Sequence, residues 1–430
     1  MPQPDRFVLV ALSMLVQAGS ASAQSCPDAA ALTRDLTLPL SAVRFLADDA
    51  LEGRLAGSDG ERCAGEYVAA EFRRLGLQPA GDNGTYFQSL SLASAINPHA
   101  PGGTGRNVLA AMPGSDPILA REWVVIGAHY DHLGEGGASS SLAPGTRAIH
   151  NGADDNASGV SAVLRAAERI GAGPRPARSV LFAAFTGEES GLLGSAHFVA
   201  HPTLSGGAMI GMINLDMVGR LGAGPLIVYG VDTADEWRVL VEAAAIAAGL
   251  TIATRGEGYG PSDHTSFYLK DVPVLHLFTN THGDYHKPTD DWDKIDGPGL
   301  EKVSRMVADV AAAIANRRPA LTLRRGAGQP PPPPGTARAG SRAYLGTVPD
   351  YTPVERGVKL GGVTAGSPAD AAGVKAGDVI VAIGSHDVKD LQGMTDALNT
   401  FKPGDATSIV VLRGTERLTL QVTLGTRANR

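Results

Sequence analysis

The sequence predicts an α/β protein in which helices cover both faces of a mostly parallel central sheet, followed by a small, mostly β domain. Apolar runs of strand length alternate with helical runs between residues 63 and 317, which is typical of a covered parallel sheet. A proline-rich segment, RRGAGQPPPPPGTARAG at residues 324–340, then interrupts the pattern. Because such a segment forms a stiff linker without a core, we expect the short strands and glycine turns beyond it to fold separately.

Each predicted element of the first domain has its own signal. The first helix, residues 63–79, carries apolar residues at helical spacing and has a glycine near its end. Uninterrupted apolar runs indicate buried strands, and runs with a 3.6-residue period indicate helices. In chain order, the predicted elements are strands at 106–114 and 122–131, a helix at 158–170, a strand at 179–189, a helix at 194–202, a strand at 209–219, a helix at 234–250, a strand at 272–279 and a helix at 297–317.

The composition is that of a globular protein. The chain has 430 residues, of which 43% are hydrophobic and 19% charged, and this length suits two domains better than one core. Its formal net charge is −7. Because nucleic-acid binding needs a basic face, this charge argues against a nucleic-acid partner.

The first residues predict a signal peptide. Arg6 precedes an apolar stretch at residues 7–16, and the small residues ASA precede Gln24, as in a cleaved leader. The apolar stretch is shorter than the roughly 20 residues that span a bilayer. We therefore expect cleavage after Ala23 and an exported protein, periplasmic or secreted, without a lipid anchor at Cys26. The alternative is an unprocessed apolar helix.

The chain has two cysteines, Cys26 and Cys63, and both belong to the expected mature protein. In an exported protein they are able to form one disulfide that holds the N-terminal segment to the first helix. Two unrelated buried thiols are the alternative, and the sequence leaves this choice open.

Polar side chains cluster where predicted strands end, which is the edge at which open α/β sheets bind ligands. The cluster consists of His129 and Asp131 in GAHYDHLG, Asp154 and Asp155 in HNGADDNASG, Glu188 and Glu189 in FTGEESG, Asp216 in INLDMVG, and His286 in GDYHKPTDD. Alone, each residue is typical of a surface histidine, a cap or a solvated turn. Their joint occurrence at strand ends indicates one site.

A metal centre would make this cluster of carboxylates stable. Adjacent carboxylates such as Glu188 and Glu189 repel each other and are costly to bury, and divalent cations supply the missing positive charge. Imidazole together with carboxylate is a zinc-type donor set. The number of candidate ligands fits two metal ions. Each ion would have one imidazole and one carboxylate ligand, and a further carboxylate would bridge both ions.

The five motifs, in this order, resemble those of the bacterial zinc aminopeptidases, the co-catalytic dizinc exopeptidases. The resemblance covers residues 40–318 and implies a three-layer zinc-exopeptidase sandwich. It also implies two Zn²⁺ ions per chain, held by His129 and Asp216, by Glu189 and His286, and by Asp155 as the bridge. Asp155 is preferred to Asp154 because the family's bridging aspartate directly precedes an NASG-like segment.

Catalytic roles follow from the same resemblance. Glu188 matches the general base, and since neighbouring residues of an extended chain point to opposite sides, it stays free while Glu189 binds zinc. We expect Asp131 to hydrogen-bond the free ring nitrogen of His129. Tyr285 is expected to donate a hydrogen bond to the reaction intermediate, with a packing role as the alternative. Asp263 and His264 also have the side chains of metal ligands, but the family uses the matching residues to support the site or the structure, and metal binding by His264 is the alternative.

Residues 341–427 resemble a PDZ domain, most clearly in GSPADAAGVKAGDVIVAIGSHDV. The segment YLGT, residues 344–347, stands where such domains bind a peptide carboxylate beside an open sheet edge. The turn in IGSHDV departs from the usual Asn-Gly, and a PDZ domain that only packs on the peptidase is the alternative. The predicted organisation is a signal peptide (1–23), a dizinc peptidase domain (24–320), a Pro/Gly-rich linker (321–340) and a PDZ domain (341–430).

The sequence therefore predicts a zinc exopeptidase, an aminopeptidase that acts on peptides with a free N-terminus. A glutaminyl cyclase or a carboxypeptidase is the alternative within the same fold. Since a cyclase is expected to lose the ligands of one metal, the complete set of five argues against it. An alternative of another class is a catalytically silent scaffold that acts through its PDZ domain, binding peptide C-termini.

Overall fold

The structure is a computed structural model, which describes residues 25–93, 102–136, 141–143, 146–204, 206–328, 343–350, 354–364, 366–389 and 391–426. The expected signal peptide, 1–23, and residues 329–340 of the predicted linker lie outside these ranges. Within the described ranges, the helices are too short or too polar to cross a membrane.

The first domain combines one large sheet with helices and short turns of helix. Its strands are β1 (Gln78–Pro79), β2 (Phe87–Ser91), β3 (Thr104–Met112), β4 (Trp123–His129), β5 (Ser179–Phe185), β6 (Met209–Leu215), β7 (Leu226–Tyr229), β8 (Ile252–Thr254) and β9 (Val274–Phe278). Its helices are α1 (Ala29–Leu32), α2 (Leu40–Leu46), α3 (Asp59–Arg74), α4 (Gly159–Ala172), α5 (Leu193–Ala200), α6 (Trp237–Ala248), α7 (His264–Tyr268) and α8 (Gly297–Asn316). Short 3₁₀ turns lie at Asp49–Arg54, Asp82–Gly84, Leu119–Arg121 and Trp292–Lys294, and a π turn at Ala153–Ser158 precedes α4.

The centre of the sheet is parallel and is flanked on both sides by an antiparallel pair of strands. The strand order is β1-β3-β5-β4-β6-β9-β7-β8, and β2 pairs with β3. Strands β5, β4, β6 and β9 run parallel to their neighbours within this group, whereas β3 and β7 pair antiparallel with its two outer members. The carboxyl ends of the four parallel strands therefore lie along one edge of the sheet.

Both faces of the sheet are buried, as the uninterrupted apolar strands predict. Along β4, Val124 and Ile126 join the core beneath α3, α4 and α8, whereas Trp123 and Val125 join the core on the α5 and α7 face. The alternation follows from the two-residue period of an extended strand. The three-layer arrangement of the prediction is thereby observed.

Two side-chain hydrogen bonds cap the start of helix α3. The Ser58 side chain accepts a hydrogen bond from the Glu61 amide at 3.2 Å, and Glu61 accepts one from the amide of Gly57 at 2.6 Å. Two amides at the start of the helix are satisfied in this way. The predicted helix at 63–79 thus starts four residues earlier, at Asp59, and ends at Arg74.

The disulfide that the sequence left open is present. Cys26 and Cys63 are joined, and no other cysteine exists in the chain. The bond ties the segment before α1 to α3. Closing a loop of this length stabilises a fold by about 3–4 kcal/mol in the chain-entropy account.

The predicted linker begins later than expected. Leu321 is buried in the first domain and Leu323 packs against its second core, while the Arg324 amide donates to the carbonyl of Thr233 at 2.8 Å. Residues 321–328 consequently belong to the first domain. The prediction placed them in the linker because their apolar residues are too few to form a recognisable element.

The second domain is small and mostly antiparallel β. Its elements are β10 (Ala343–Tyr344), β11 (Thr347–Pro349), β12 (Val358–Val363), α9 (Pro368–Ala371), β13 (Val379–Ile383), β14 (His386–Asp387), α10 (Leu391–Asn399), β15 (Ala406–Arg413), β16 (Glu416–Thr423) and β17 (Gly425–Thr426). Strand β11 lies at the edge of the sheet β11-β12-β13-β15-β16. The domain has its own apolar core, which includes Ile380, Ile409 and Val411.

Candidate metal centre

The predicted ligands converge at the carboxyl edge of the parallel strands. His129 is the last residue of β4, and Asp216 directly follows β6. Glu188 and Glu189 come shortly after β5, and His286 lies in the loop after β9. Since these strands are parallel neighbours, their ends bring these four predicted ligands and the predicted base, Glu188, to one place.

One group of donor atoms contains His129, Asp155 and Asp216. The His129 Nε2 atom lies 3.3 Å from Asp155 Oδ1 and 3.4 Å from Asp216 Oδ1. The Nδ1 atom of His129 lies 3.2 Å from the backbone carbonyl oxygen of Asp131 and 3.8 Å from its carboxylate. The ring is thus oriented by the backbone of Asp131, whereas the prediction assigned this contact to its carboxylate.

A second group contains His286, Asp155 and Glu189. The His286 Nε2 atom lies 3.1 Å from Asp155 Oδ2 and 3.3 Å from Glu189 Oε2. Asp155 therefore turns one carboxylate oxygen towards each group. This is the position that a bridging ligand occupies between two ions.

The neighbouring Asp154 faces away from both groups. Its Oδ2 atom lies 3.1 Å from His282 Nε2, and its Oδ1 atom accepts a hydrogen bond from the Gly219 amide at 2.6 Å. Of the two adjacent aspartates in HNGADDNASG, the structure thus places Asp155 between the histidines. The two neighbouring aspartates of this loop thus have different surroundings. The sequence alone did not show which of them faces the histidines.

The donor atoms fit zinc. Around one zinc ion with bonds of 2.0–2.2 Å, tetrahedral ligand atoms lie about 3.3–3.6 Å apart, and the separations in the two groups are 3.1–3.4 Å. Each group presents one imidazole nitrogen and two carboxylate oxygens, which are borderline-to-hard donors that suit Zn²⁺. The residues present therefore match the chemistry of a zinc site.

The adjacent glutamates have opposite proton affinities. Burial and the charges of Glu189 and Asp216 raise the pKa of Glu188 well above its ordinary range, although His129 opposes the shift. Burial also acts to raise the pKa of Glu189, but His286 and the hydrogen bonds from His132 and His286 lower it to about 2. Environments that separate two carboxyl pKa values distinguish a proton-accepting group from one that stays ionised. Glu189 is thus the more acidic carboxyl group of the pair, and Glu188 has the higher proton affinity.

The carboxylate of Asp131 holds the chain at Glu188. Its Oδ1 atom accepts a hydrogen bond from the Glu188 amide at 3.1 Å. Asp131 is fully buried, and burial raises the pKa of its carboxyl group well above the ordinary range. Asp131 thus touches both the general-base candidate and, through its backbone, His129.

Tyr285 stacks on His286, with ring centroids 4.0 Å apart. It also lines the open cleft beside Asp216 and packs near Met217 and Phe278. Its predicted role as a hydrogen-bond donor stays a prediction. His264 is buried and stacks on His276, with ring centroids 4.5 Å apart, and it belongs to neither donor group.

The sequence analysis missed Arg54, which ties together the segments that carry the ligands. Its guanidinium is fully buried and donates to the carbonyl oxygens of Tyr130 at 2.8 Å, Asn151 at 2.7 Å and Gly152 at 3.0 Å, and also to that of Leu46. Burial lowers the pKa of Arg54 to about 10, opposed by the surrounding carboxylates. The buried cation thus fixes the backbone directly after His129 and shortly before Asp155.

Asp290 holds the backbone at Asp154 and Asp155. Its Oδ2 atom accepts hydrogen bonds from the amides of Asp154 at 2.9 Å and Asp155 at 3.1 Å. Its other oxygen lies 3.0 Å from the Arg220 guanidinium. Asp290 belongs to the YHKPTDD motif, so the loop that carries His286 also positions Asp155.

His132 was also missed, although it lies in the quoted GAHYDHLG motif. Its Nδ1 atom lies 2.9 Å from Glu189 Oε1 and 3.9 Å from Asp155 Oδ2. Among the described residues, two sets of side chains are clustered closely enough to hold a metal ion. One set is His129, Asp155 and Asp216, and the other is His132, Asp155 and Glu189. The place of His132 shortly after His129 in the same motif was the only hint in the sequence that it lies near the metal centre.

Comparison with known proteins finds a matching family for each of the two domains. Residues 107–311 match the model of peptidase family M28, and residues 345–424 match that of the PDZ domain. Leupeptin-inactivating enzyme 1 of Streptomyces exfoliatus is 28% identical over 283 residues, which cover 62% of this chain and 59% of that protein. A probable leucine aminopeptidase of Arthroderma otae is 28% identical over 221 residues, covering 49% and 57%. The chain spans less than two thirds of the length of either relative.

Solved structures show the same fold. A Zn-dependent exopeptidase from Parabacteroides distasonis matches with a TM-score of 0.53 at 20% identity, covering 67% of this chain and 99% of that chain. A glutaminyl cyclase of Bacteroides thetaiotaomicron matches with a TM-score of 0.52 at 20% identity, covering 64% and 96%. At these identities the likeness establishes the fold, and the predicted zinc-exopeptidase sandwich is confirmed. The chain thus carries a peptidase family M28 domain joined to a PDZ domain.

Proposed function

We propose that the chain is a zinc-dependent aminopeptidase that holds two Zn²⁺ ions and removes N-terminal residues from peptides. The observation that carries the proposal is the carboxylate of Asp155, whose two oxygens face two separate histidines at 3.3 and 3.1 Å. A single ion does not require this arrangement. The M28 match and the relatives named as aminopeptidases support the same activity.

Each residue of the centre has a defined task. His129 and Asp216 would hold one ion, Glu189 and His286 the other, and Asp155 both. When bound, the ions supply Lewis-acid polarisation of the peptide carbonyl and lower the pKa of water at the site.

Glu188 performs the proton transfers. Its carboxylate accepts a proton from the attacking water and returns it to the amine that leaves. The Asp131 carboxylate, bound to the Glu188 amide, keeps the chain at Glu188 in place. The hydroxyl of Tyr285, in the cleft beside Asp216, donates a hydrogen bond to the developing negative charge.

A substrate panel tests the proposal. It contains aminoacyl-p-nitroanilides, an N-acetylated anilide and peptides with N-terminal glutamine, each measured with and without a zinc chelator. We expect chelator-sensitive release from the free-amine anilides, restored by Zn²⁺, and none from the acetylated control. Residue preference follows from the relative kcat/KM values across the anilides.

Other outcomes would indicate a different enzyme activity of the same fold, or a protein that is not an enzyme. Cyclisation of the glutaminyl peptides without anilide hydrolysis would overturn the aminopeptidase in favour of a glutaminyl cyclase. Release from the C-terminal end of acetylated peptides would identify a carboxypeptidase. Zinc binding without any turnover would leave a peptide-binding scaffold that acts through the PDZ domain.

For the PDZ domain we propose binding of peptide C-termini. Strand β11 is an edge strand, and the YLGT segment leads into it, which suits addition of a peptide strand with its carboxylate at the backbone amides. The PDZ domain also contacts the loop that carries His286. In this contact the Thr281 hydroxyl donates a hydrogen bond to the carbonyl oxygen of Pro349 at 2.7 Å. Calorimetric titration with one peptide in free-acid and amidated forms is expected to show binding only of the free acid. Equal binding of both forms, or none, contradicts the proposal.

We further propose that the protein is exported, to the periplasm or beyond the cell. The Cys26–Cys63 disulfide supports this, because disulfides persist in oxidising compartments. The test is the N-terminal sequence of the mature protein, which should begin at Gln24.

A further inference from the structure

His132 occupies a fixed position behind the second group of ligands. Its side chain is fully buried, and its backbone amide donates to the carbonyl of Arg54 at 3.1 Å. The ring thereby points its Nδ1 atom at Glu189 Oε1, at a distance of 2.9 Å. The opposite oxygen of Glu189, Oε2, faces His286 at 3.3 Å.

We propose that His132 is a positioning residue that donates its Nδ1 proton to Glu189 Oε1 and so directs Oε2 towards the second ion. The inference rests on the two-ion centre of the proposed function. It assigns to the glutamate an orientation that the five ligands alone do not enforce, because a free carboxylate rotates between one-oxygen and two-oxygen binding. Hydrogen bonds to ligand side chains commonly fix such geometry.

The surroundings of Nε2, the other ring nitrogen of His132, indicate which of the two ring nitrogens carries the proton. The Nε2 atom of His132 is buried and has no hydrogen-bond partner among the described residues. If Nδ1 bound the ion directly, Nε2 would carry the proton as a buried donor without an acceptor, which is rare and costly in proteins. If Nδ1 carries the proton, Nε2 is left only with an unused lone pair. The second arrangement is the less costly one and makes His132 a donor to Glu189.

The effect should be confined to one of the two ions. His132 lies near Glu189 and Asp155, and in the described structure its donor set does not include His129 or Asp216. Removing the hydrogen bond should weaken the ion held by Glu189 and His286 and leave the other unchanged. A general defect in folding would weaken both.

Paired amide variants separate the two ring nitrogens. His132→Asn places an amide NH₂ near the position of Nδ1 and keeps the donor, whereas His132→Gln reaches towards the position of Nε2 and His132→Leu has no donor. His197→Ala, which removes a half-exposed histidine of α5, controls for adventitious metal binding by surface imidazoles. Thermal unfolding of the metal-free proteins identifies variants that fold.

The measurement is calorimetric titration of the chelator-treated full chain with Zn²⁺, together with Co²⁺ absorption spectra. We expect two ions in the wild type and in His197→Ala. In His132→Leu and His132→Gln the second ion should bind about 10- to 100-fold more weakly. In His132→Asn its affinity should return to near the wild-type value, with an unchanged Co²⁺ spectrum.

Three results would overturn the assignment. An unchanged second affinity in the Gln and Leu variants would leave His132 without a positioning role. Weak binding in the Asn variant with an altered Co²⁺ spectrum would make His132 a direct ligand. A wild type that takes up one ion would remove the two-ion centre itself, which separates failure of the proposed function from failure of this inference alone.

Discussion

Replacing Glu188 with glutamine is expected to lower kcat on aminoacyl anilides by about 100- to 10,000-fold, the range that a positioned general base contributes. Glutamine keeps the size and polarity of the side chain but has no basic oxygen to take the proton. Glu188 lies outside both clustered donor sets of the described structure. The zinc content of Glu188→Gln should therefore equal that of the wild type.

The adjacent Glu189→Gln is the matched comparison. Its substitution removes a carboxylate that lies 3.3 Å from His286 Nε2, so zinc should be lost together with activity. Metal analysis and kcat on the same protein samples distinguish the two glutamates. If Glu188→Gln loses zinc or retains near wild-type kcat, its role as the base is wrong.

Much of this centre follows from the order of elements along the chain. His129, Glu189 and Asp216 stand at or just after the ends of apolar strands, and parallel strands bring such ends to one edge. Their convergence was therefore predictable before any distance was known. The choice between Asp154 and Asp155 rested only on the family resemblance, because a local twist of the backbone decides which of two neighbours faces the histidines.

Arg54 and His132 show where sequence reasoning stops. Arg54 is bonded to backbone carbonyl groups, and since every residue has a carbonyl, these partners leave no trace in the sequence. His132 has a recognisable side chain, but its target is Glu189, far along the chain. Contacts of this kind depend on packing between segments and not on the pattern within one.

The edges of the fold were less predictable than its centre. Strands β7 and β8 are only four and three residues long, which is too short for a periodic signal. Residues 321–328 pack on the first domain through few apolar side chains. In both cases tertiary contact determines the structure, and the local sequence does not.

The second large effect is expected for Asp155→Asn, which should lose both ions. Asp155 contributes one oxygen to each histidine group, whereas asparagine offers one oxygen and an NH₂ group that does not bind zinc. Activity should fall to that of the chelator-treated wild type. Zn²⁺ should raise the thermal midpoint of the wild type by mass action and leave that of Asp155→Asn unchanged.

Asp154→Asn is the control, because it removes the same charge from the adjacent residue. Asp154 contacts His282 and the Gly219 amide, and an asparagine oxygen retains the second of these contacts. This variant should bind two ions and keep its zinc-dependent rise in thermal midpoint. Equal loss of zinc in both variants would show that the local fold of the loop, and not a bridging carboxylate, holds the ions. Loss in Asp154→Asn alone would move the bridge to Asp154. Only loss confined to Asp155→Asn agrees with one carboxylate shared between two ions.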